Sequence, residues 1–197
     1  MRHPFAIVSL ALLVGLNATS AAAPENLFNG KDLTGWVPMH EGRFEVHDGA
    51  LRLVRGAGWL RTEKEYGDFI LEVELRPLAE RYDSGLFFRA GLNGKPWPID
   101  GWLVNLRRDM WGALVKGFTK LLPSSVEGPD VDETTPWTKV RLEVRGSKAT
   151  LDLDGKRLWE TDTIDRPRGY IGIQAEERSF DFRNLRIESF DQLAAKT

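Results

Sequence analysis

The sequence predicts an all-β protein, with two antiparallel sheets packed as a sandwich or jelly roll. Three observations carry this reading. Segments that alternate apolar and charged residues recur along the chain. Two Asp-Gly pairs, Asp48-Gly49 and Asp154-Gly155, each separate two such segments. No window of about a dozen residues carries an apolar stripe at the 3.6-residue period of a helix.

Taken in order, the chain opens on MRHPFAIVSLALLVGLNATSAAA (1–23). Arg2 precedes an apolar run from Phe5 to Leu16, too short to cross a bilayer comfortably, and small residues follow up to Ala23. This is the pattern of a secretory signal cleaved near Ala23, which places the mature protein, 24–197, outside the cytoplasm as one secreted or periplasmic domain. LFNGKDLTGW (27–36) pairs Gly30 with Lys31, but Asp32 stands where a phosphate loop needs Ser or Thr. A turn between apolar anchors fits better. RFEVHDGALRL (43–53) and ATLDLDGKRLWE (149–160) are hairpins, because a type I′ turn needs positive φ at both central residues and Asp-Gly supplies it. FILEVELRP (69–77) and KVRLEVRG (139–146) alternate strictly, and SGLFFRA, WLVNLRR, YIGIQAE and FRNLRIESF add four strands. AGLNGKPWPIDG (90–101) and the long GFTKLLPSSVEGPDVDETTPW (117–137) are predicted loops. Long loops on a rigid sandwich tend to be binding elements or disordered.

Several function classes fall away. A formal net charge of -2 leaves no basic excess for nucleic acid. With no cysteine there is no disulfide, thiolate metal site or Cys nucleophile. No Gly-x-Ser-x-Gly elbow or nucleotide fingerprint occurs. No apolar stretch after the leader is long enough to span a membrane as a helix. No cofactor is called for. His40 and His47 are read as surface or turn residues. The acidic EGPDVDE (127–133) offers oxygens to Ca²⁺ but lacks the EF-hand pattern, so a solvated loop is the preferred reading.

Period-two alternation assigns faces. Phe87 and Arg89 share one side of their strand. Leu103, Asn105 and Arg107 lie opposite Trp102, Val104 and Leu106. Tyr170, Gly172, Gln174 and Glu176 share a side of theirs. If the open side is concave, Arg89, Asn105, Gln174, Tyr170 and Glu176 converge there, and polar groups with aromatic neighbours suit a sugar. Asn105, Gln174, Tyr170 and Trp102 form the expected substrate-binding set. The competing reading is a solvated outer face on which Arg89 pairs locally. Asp109, beside Arg107 and Arg108, reads as an ion-pair partner.

With these strands in place, LFNGKDLTGW, TEKEYGDFILEVELR, DSGLFFR, GWLVN with WGALVKG, PWTKVRLEVRGSKATLDLDGKRL, RPRGYIGIQAE and FDFRNLRI, in that order, resemble the 3-keto-disaccharide hydrolase family. Its fold is similar to the concanavalin A-like lectins and glucanases. The resemblance runs from Leu27 to about Phe190 and makes the opening decapeptide an N-terminal strand and turn. It keeps Arg89 and Gln174. The family's Glu and Gln of the Tyr-Glu-Val-Gln strand fall on Leu103 and Asn105, and its His falls near Glu176. The implied activity is cleavage of a glycoside already oxidised at C3. A base removes the acidified C2 proton, the aglycone leaves from C1, and water adds back. This implies Arg89 as enolate stabiliser and Glu176 as base, with Asp83 and Asp109 as weaker candidates for the base. The alternative is a non-catalytic carbohydrate-binding sandwich of the cell envelope, favoured by the aliphatic Leu103.

Overall fold

The computed structural model describes residues 23–176 and 179–190. The predicted leader, apart from Ala23, lies outside the described residues. The strands are β1 (Glu25–Asn26), β2 (Trp36–His40), β3 (Arg43–His47), β4 (Ala50–Arg55), β5 (Ala57–Tyr66), β6 (Phe69–Pro77), β7 (Ser84–Ala90), β8 (Trp102–Asn105), β9 (Leu114–Lys116), β10 (Thr119–Leu122), β11 (Thr138–Arg145), β12 (Lys148–Leu153), β13 (Lys156–Thr161), β14 (Gly169–Glu176) and β15 (Phe180–Ser189). One short 3₁₀ turn, Arg108–Met110, is the only helical element among the described residues, and none is long and apolar enough to cross a membrane.

All pairings are antiparallel. One sheet runs β13-β12-β11-β6-β15-β4-β3, with β1 added against β15. The other runs β10-β9-β8-β7-β14-β5-β2. This is the two-sheet sandwich that the alternation predicts. The Asp-Gly hairpins form as expected. His47 pairs Ala50 across Asp48-Gly49, with φ of 49° and 74°, and Leu153 pairs Lys156 across Asp154-Gly155, with φ of 49° and 77°. The opening decapeptide is an Asx-stabilised turn. Asn29 Oδ1 accepts from the Lys31 and Asp32 N–H groups at 2.8 and 3.0 Å, and the Trp36 indole donates to the Leu27 carbonyl at 2.7 Å.

The apolar parities of β6 (Phe69, Leu71, Val73, Leu75) and β11 (Val140, Leu142, Val144) face those of β7 (Leu86, Phe88) and β14 (Ile171, Ile173) in one core. Each fully buried residue of this size contributes about 1.5–3 kcal/mol of transfer free energy, which is why the register is strongly specified. β7 and β8 are buried along their whole length. The outer face of their sheet is therefore covered, by the loop of residues 91–101 and by the turn of the β9–β10 hairpin. That covering makes a cleft out of a sheet face.

The predicted long loop is corrected in part. Thr119–Leu122 leaves it to pair with β9 as β10. The remainder is anchored over one end of the sandwich. Ser124 Oγ donates to the Trp111 carbonyl at 2.6 Å, the Tyr82 hydroxyl to that of Pro129 at 2.9 Å, and the Gly128 N–H to that of Arg108 at 2.8 Å.

Candidate active site

The cleft opens on the outer face of the β10-to-β2 sheet. Its floor is Phe87 on β7, Leu103 on β8 and Val115 on β9, all nearly buried. Gln174 and Glu176 project from β14, and Asn105 from β8. They share the cleft because alternation brings like parities to one face and because β7, β8 and β14 lie side by side. Gly85 makes the assembly fit. A Cβ there would lie 2.3 Å from Leu103 Cδ1 and 2.9 Å from Gln174 Oε1, so only glycine lets that amide lie across β7.

The polar end is built around two carboxyls and one guanidinium. A cavity of about 220 Å³ and a neighbouring one of about 450 Å³ share Asp83, Arg107 and Glu176 along their common border. Gln174 Nε2 donates to Glu176 Oε2 at 2.7 Å, and the Asn105 side-chain oxygen accepts from the Arg107 backbone N–H at 2.8 Å. Arg107 makes a two-pronged pair with Asp109, at 2.5 and 2.9 Å, which is the ion pair expected of Asp109. Burial and the neighbouring Glu176 charge push the Asp83 carboxyl up to about 7, against the opposing pull of Arg107. Burial also raises Glu176, again opposed by Arg107. Asp83 Oδ1 and Gln174 Oε1 are buried without a hydrogen-bond partner. Unsatisfied buried acceptors are costly, and they concentrate where a ligand completes the set. Asp83, which keeps its proton up to about 7 partly because of the neighbouring Glu176 charge, can serve as an acid while Glu176 serves as a base.

The structure therefore brings together Asn105, Gln174 and Glu176 and adds Asp83, which the sequence reading ranks below Glu176. The alternation that places Phe87 on the open face also runs back through Gly85 to Asp83, so the signal was present. Arg107 was legible by parity but had no role assigned. Trp97 and Phe118, from segments predicted as loops, carried no parity.

Three expected residues lie elsewhere. Arg89 is a correction. It sits in a bulge with φ of 44°, where the β7–β14 register shifts between Tyr170 and Gly172, so alternation fails and its side chain leaves the Phe87 face. The guanidinium, 1% exposed, donates to the carbonyls of Gly67 (2.9 Å), Gly146 (2.6 Å) and Arg166 (2.7 Å) and to Asp68 Oδ1 (2.8 Å). It ties turns of both sheets at the end of β7 away from Asp83. Trp102 is also a correction. It is 1% exposed in the main core, stacked on Phe88 at 6.4 Å, because even parity on β8 faces inward. Tyr170 is on the outer face but not in the cleft. It packs against the cluster of Trp59, Phe87 and Leu103, with the Arg61 guanidinium 4.4 Å from its ring centre.

Among the described residues no group of three or more His, Asp or Glu could hold a metal. In the acidic loop, Asp130 pairs with Arg108 at 2.6 Å and Asp132 Oδ1 accepts from Thr134 N–H at 2.7 Å. His47 lies 3.3 Å from Asp48.

The family model of the 3-keto-alpha-glucoside-1,2-lyase-like domain matches residues 23–188. The chain belongs to this family. Membership ties it to carbohydrate at a coarse level and agrees with the resemblance read from the motifs. No curated protein matches the sequence. Among solved structures, a candidate glycosyl hydrolase from Parabacteroides distasonis superposes with a TM-score of 0.68 at 18% identity, covering 84% of this chain and 93% of that one. The carbohydrate-binding module CBM66 from Bacillus subtilis gives 0.64 at 18% identity, over 79% and 96%. A Bacillus subtilis protein with a galectin-like fold gives 0.68 at 14%, over 86% and 96%. These likenesses establish the sandwich fold of the 3-keto-alpha-glucoside-1,2-lyase-like domain.

Proposed function

We propose that this protein, exported through its apolar leader, cleaves glycosides oxidised at C3. The observation that carries the reading is the pair of half-buried carboxyls, Asp83 and Glu176, bordering the cleft beside Arg107. Glu176 takes the C2 proton, and the C2–H electrons form the C2=C3 double bond of an enolate. Arg107 replaces Arg89 as the positive charge facing that enolate. When the enolate collapses, the C3 carbonyl re-forms, a C1=C2 bond forms, and the C1–O bond to the aglycone breaks. Asp83, protonated near neutrality, gives its proton to the departing oxygen. Asp83 then takes a proton from water, the hydroxide adds to C1, and Glu176 returns its proton to C2, so both groups are restored and the net change is hydrolysis. Asn105 and Gln174 hold sugar hydroxyls.

The test is release of a chromophoric aglycone from a 3-keto-glucoside. Glu176→Gln is expected to lower turnover on the order of a hundredfold or more while leaving binding largely intact. Release no faster than buffer, or turnover indifferent to both Glu176→Gln and Asp83→Asn, would sink the reading. One observation favours a second reading, a sugar-binding protein without turnover. The cleft floor is aliphatic and aromatic at Phe87, Leu103 and Val115, which suits retention of a ligand without chemistry. Binding without release would select it.

A further inference from the structure

The cleft has two chemically distinct ends. Asp83, Asn105, Arg107, Gln174 and Glu176 crowd one. The other is floored by Phe87, Leu103 and Val115, which pair one row farther along the strands than Asn105 and Gln174, while Trp97, Met110 and Phe118 line the same cleft. Resting on the elimination reading above, we infer that the apolar end receives the aglycone, and that this aglycone is an aromatic alcohol rather than a second sugar.

The argument is one of hydrogen-bond accounting. A second sugar would carry hydroxyls into the apolar end, where each loses water and needs a protein partner. The side chains of these six residues supply none. Trp97 has the only side-chain N–H among them, and that N–H already donates to the Ala175 carbonyl at 3.0 Å. The indole is thereby fixed as a flat wall with nothing polar to offer. An aromatic ring has no such requirement and gains from burial and from offset or edge contacts with other rings. The cleft already packs rings this way, since Trp59 and Phe87 meet edge-on at 5.5 Å and 70°. Phe118 supplies the most direct sign. It stands at the mouth, on the turn between β9 and β10, 83% exposed. A bound ring lying between Trp97 and Phe118 would cover it. The two ends also place the leaving oxygen where the reaction needs it, at the junction between apolar wall and carboxyls.

A phenol is the better leaving group, so binding is read apart from turnover. Phenyl glucoside and a glucosyl-glucose disaccharide are titrated by calorimetry into Glu176→Gln and into Glu176→Gln combined with Phe118→Ala. Phe118 is so exposed that its loss leaves the fold intact. Phenyl glucoside is expected to bind about tenfold more tightly than the disaccharide, and Phe118→Ala to remove about three- to tenfold of that while moving the disaccharide less than about twofold. In otherwise wild-type protein, Phe118→Ala is expected to raise KM for a phenyl 3-keto-glucoside by a similar factor with kcat little changed. Equal or tighter disaccharide binding, or indifference of phenyl glucoside to Phe118→Ala, overturns the inference and leaves cleavage standing. Failure of the wild type to release aglycone from either 3-keto substrate ends the cleavage reading, and the assignment of this end to a leaving group goes with it.

Discussion

The two outer faces of the sandwich treat their charged side chains in opposite ways. On the sheet built around β6 and β15, charges are neutralised in place. Asp181 accepts from Arg52 at 2.7 and 2.9 Å and from Arg76 at 3.1 Å, and Arg183 holds Glu74 at 2.7 Å. Arg76 and Arg183 both lie over the Trp137 ring. Arg141 and Arg157 share Asp152. On the other sheet, Asp83 and Glu176 border one cleft, and the Glu176 charge opposes the ionisation of Asp83. Arg107 offsets them, but Asp109 already engages its guanidinium at 2.5 Å, which leaves less of that charge for the carboxyl pair. Charge on an exposed sheet is therefore uninformative until its partners are known. Satisfied carboxylates mark a solvated wall, and carboxyls left short of partners mark a site.

Three measurements put this contrast at risk. The greatest loss is expected at Arg89, which the contrast places on the structural side. Arg89→Ala removes a buried guanidinium that holds three backbone carbonyls and Asp68, and is expected to cost about 3–5 kcal/mol of stability. That is roughly a 10 °C fall in melting temperature for a chain of this size. Unchanged melting with lost turnover would return Arg89 to the chemistry.

An intermediate effect is the pH dependence of the acid pair. Folded protein holds the Asp83 proton up to about 7, whereas the unfolded chain releases it near the ordinary carboxyl value of 3.8. Folding therefore takes up a proton between these values, so this group's contribution to stability falls as pH rises from about 4 to about 7 and is level above. The upward shift of Glu176 acts with the same sign. Asp83→Asn is expected to flatten the decline seen in denaturant titrations across that range. Superimposable wild-type and variant profiles would contradict the assignment.

The paired face should respond least. Asp181→Ala is expected to cost about 1–3 kcal/mol, because its carboxylate is buried and held by two arginines. Arg157→Ala, on an exposed pair, is expected to cost under about 1 kcal/mol. Neither should alter aglycone release. A change in turnover from either would mean that the paired face also takes part in function.

The sandwich, the two Asp-Gly hairpins and the inward parities of β6 and β11 were legible in the residues alone, because they follow from side-chain periodicity and local turn chemistry. So was the common face of Asn105, Gln174 and Glu176, because uninterrupted alternation carries that information along each strand. The fate of Arg89 was not legible. The bulge at its positive φ breaks the alternation, and the carbonyls it binds come from turns distant in sequence. Folding in three dimensions likewise joined Asp83 to Glu176 and drew Trp97 and Phe118 over the cleft. Such neighbours are set by strand order and loop path, and neither is written in the period of a single strand.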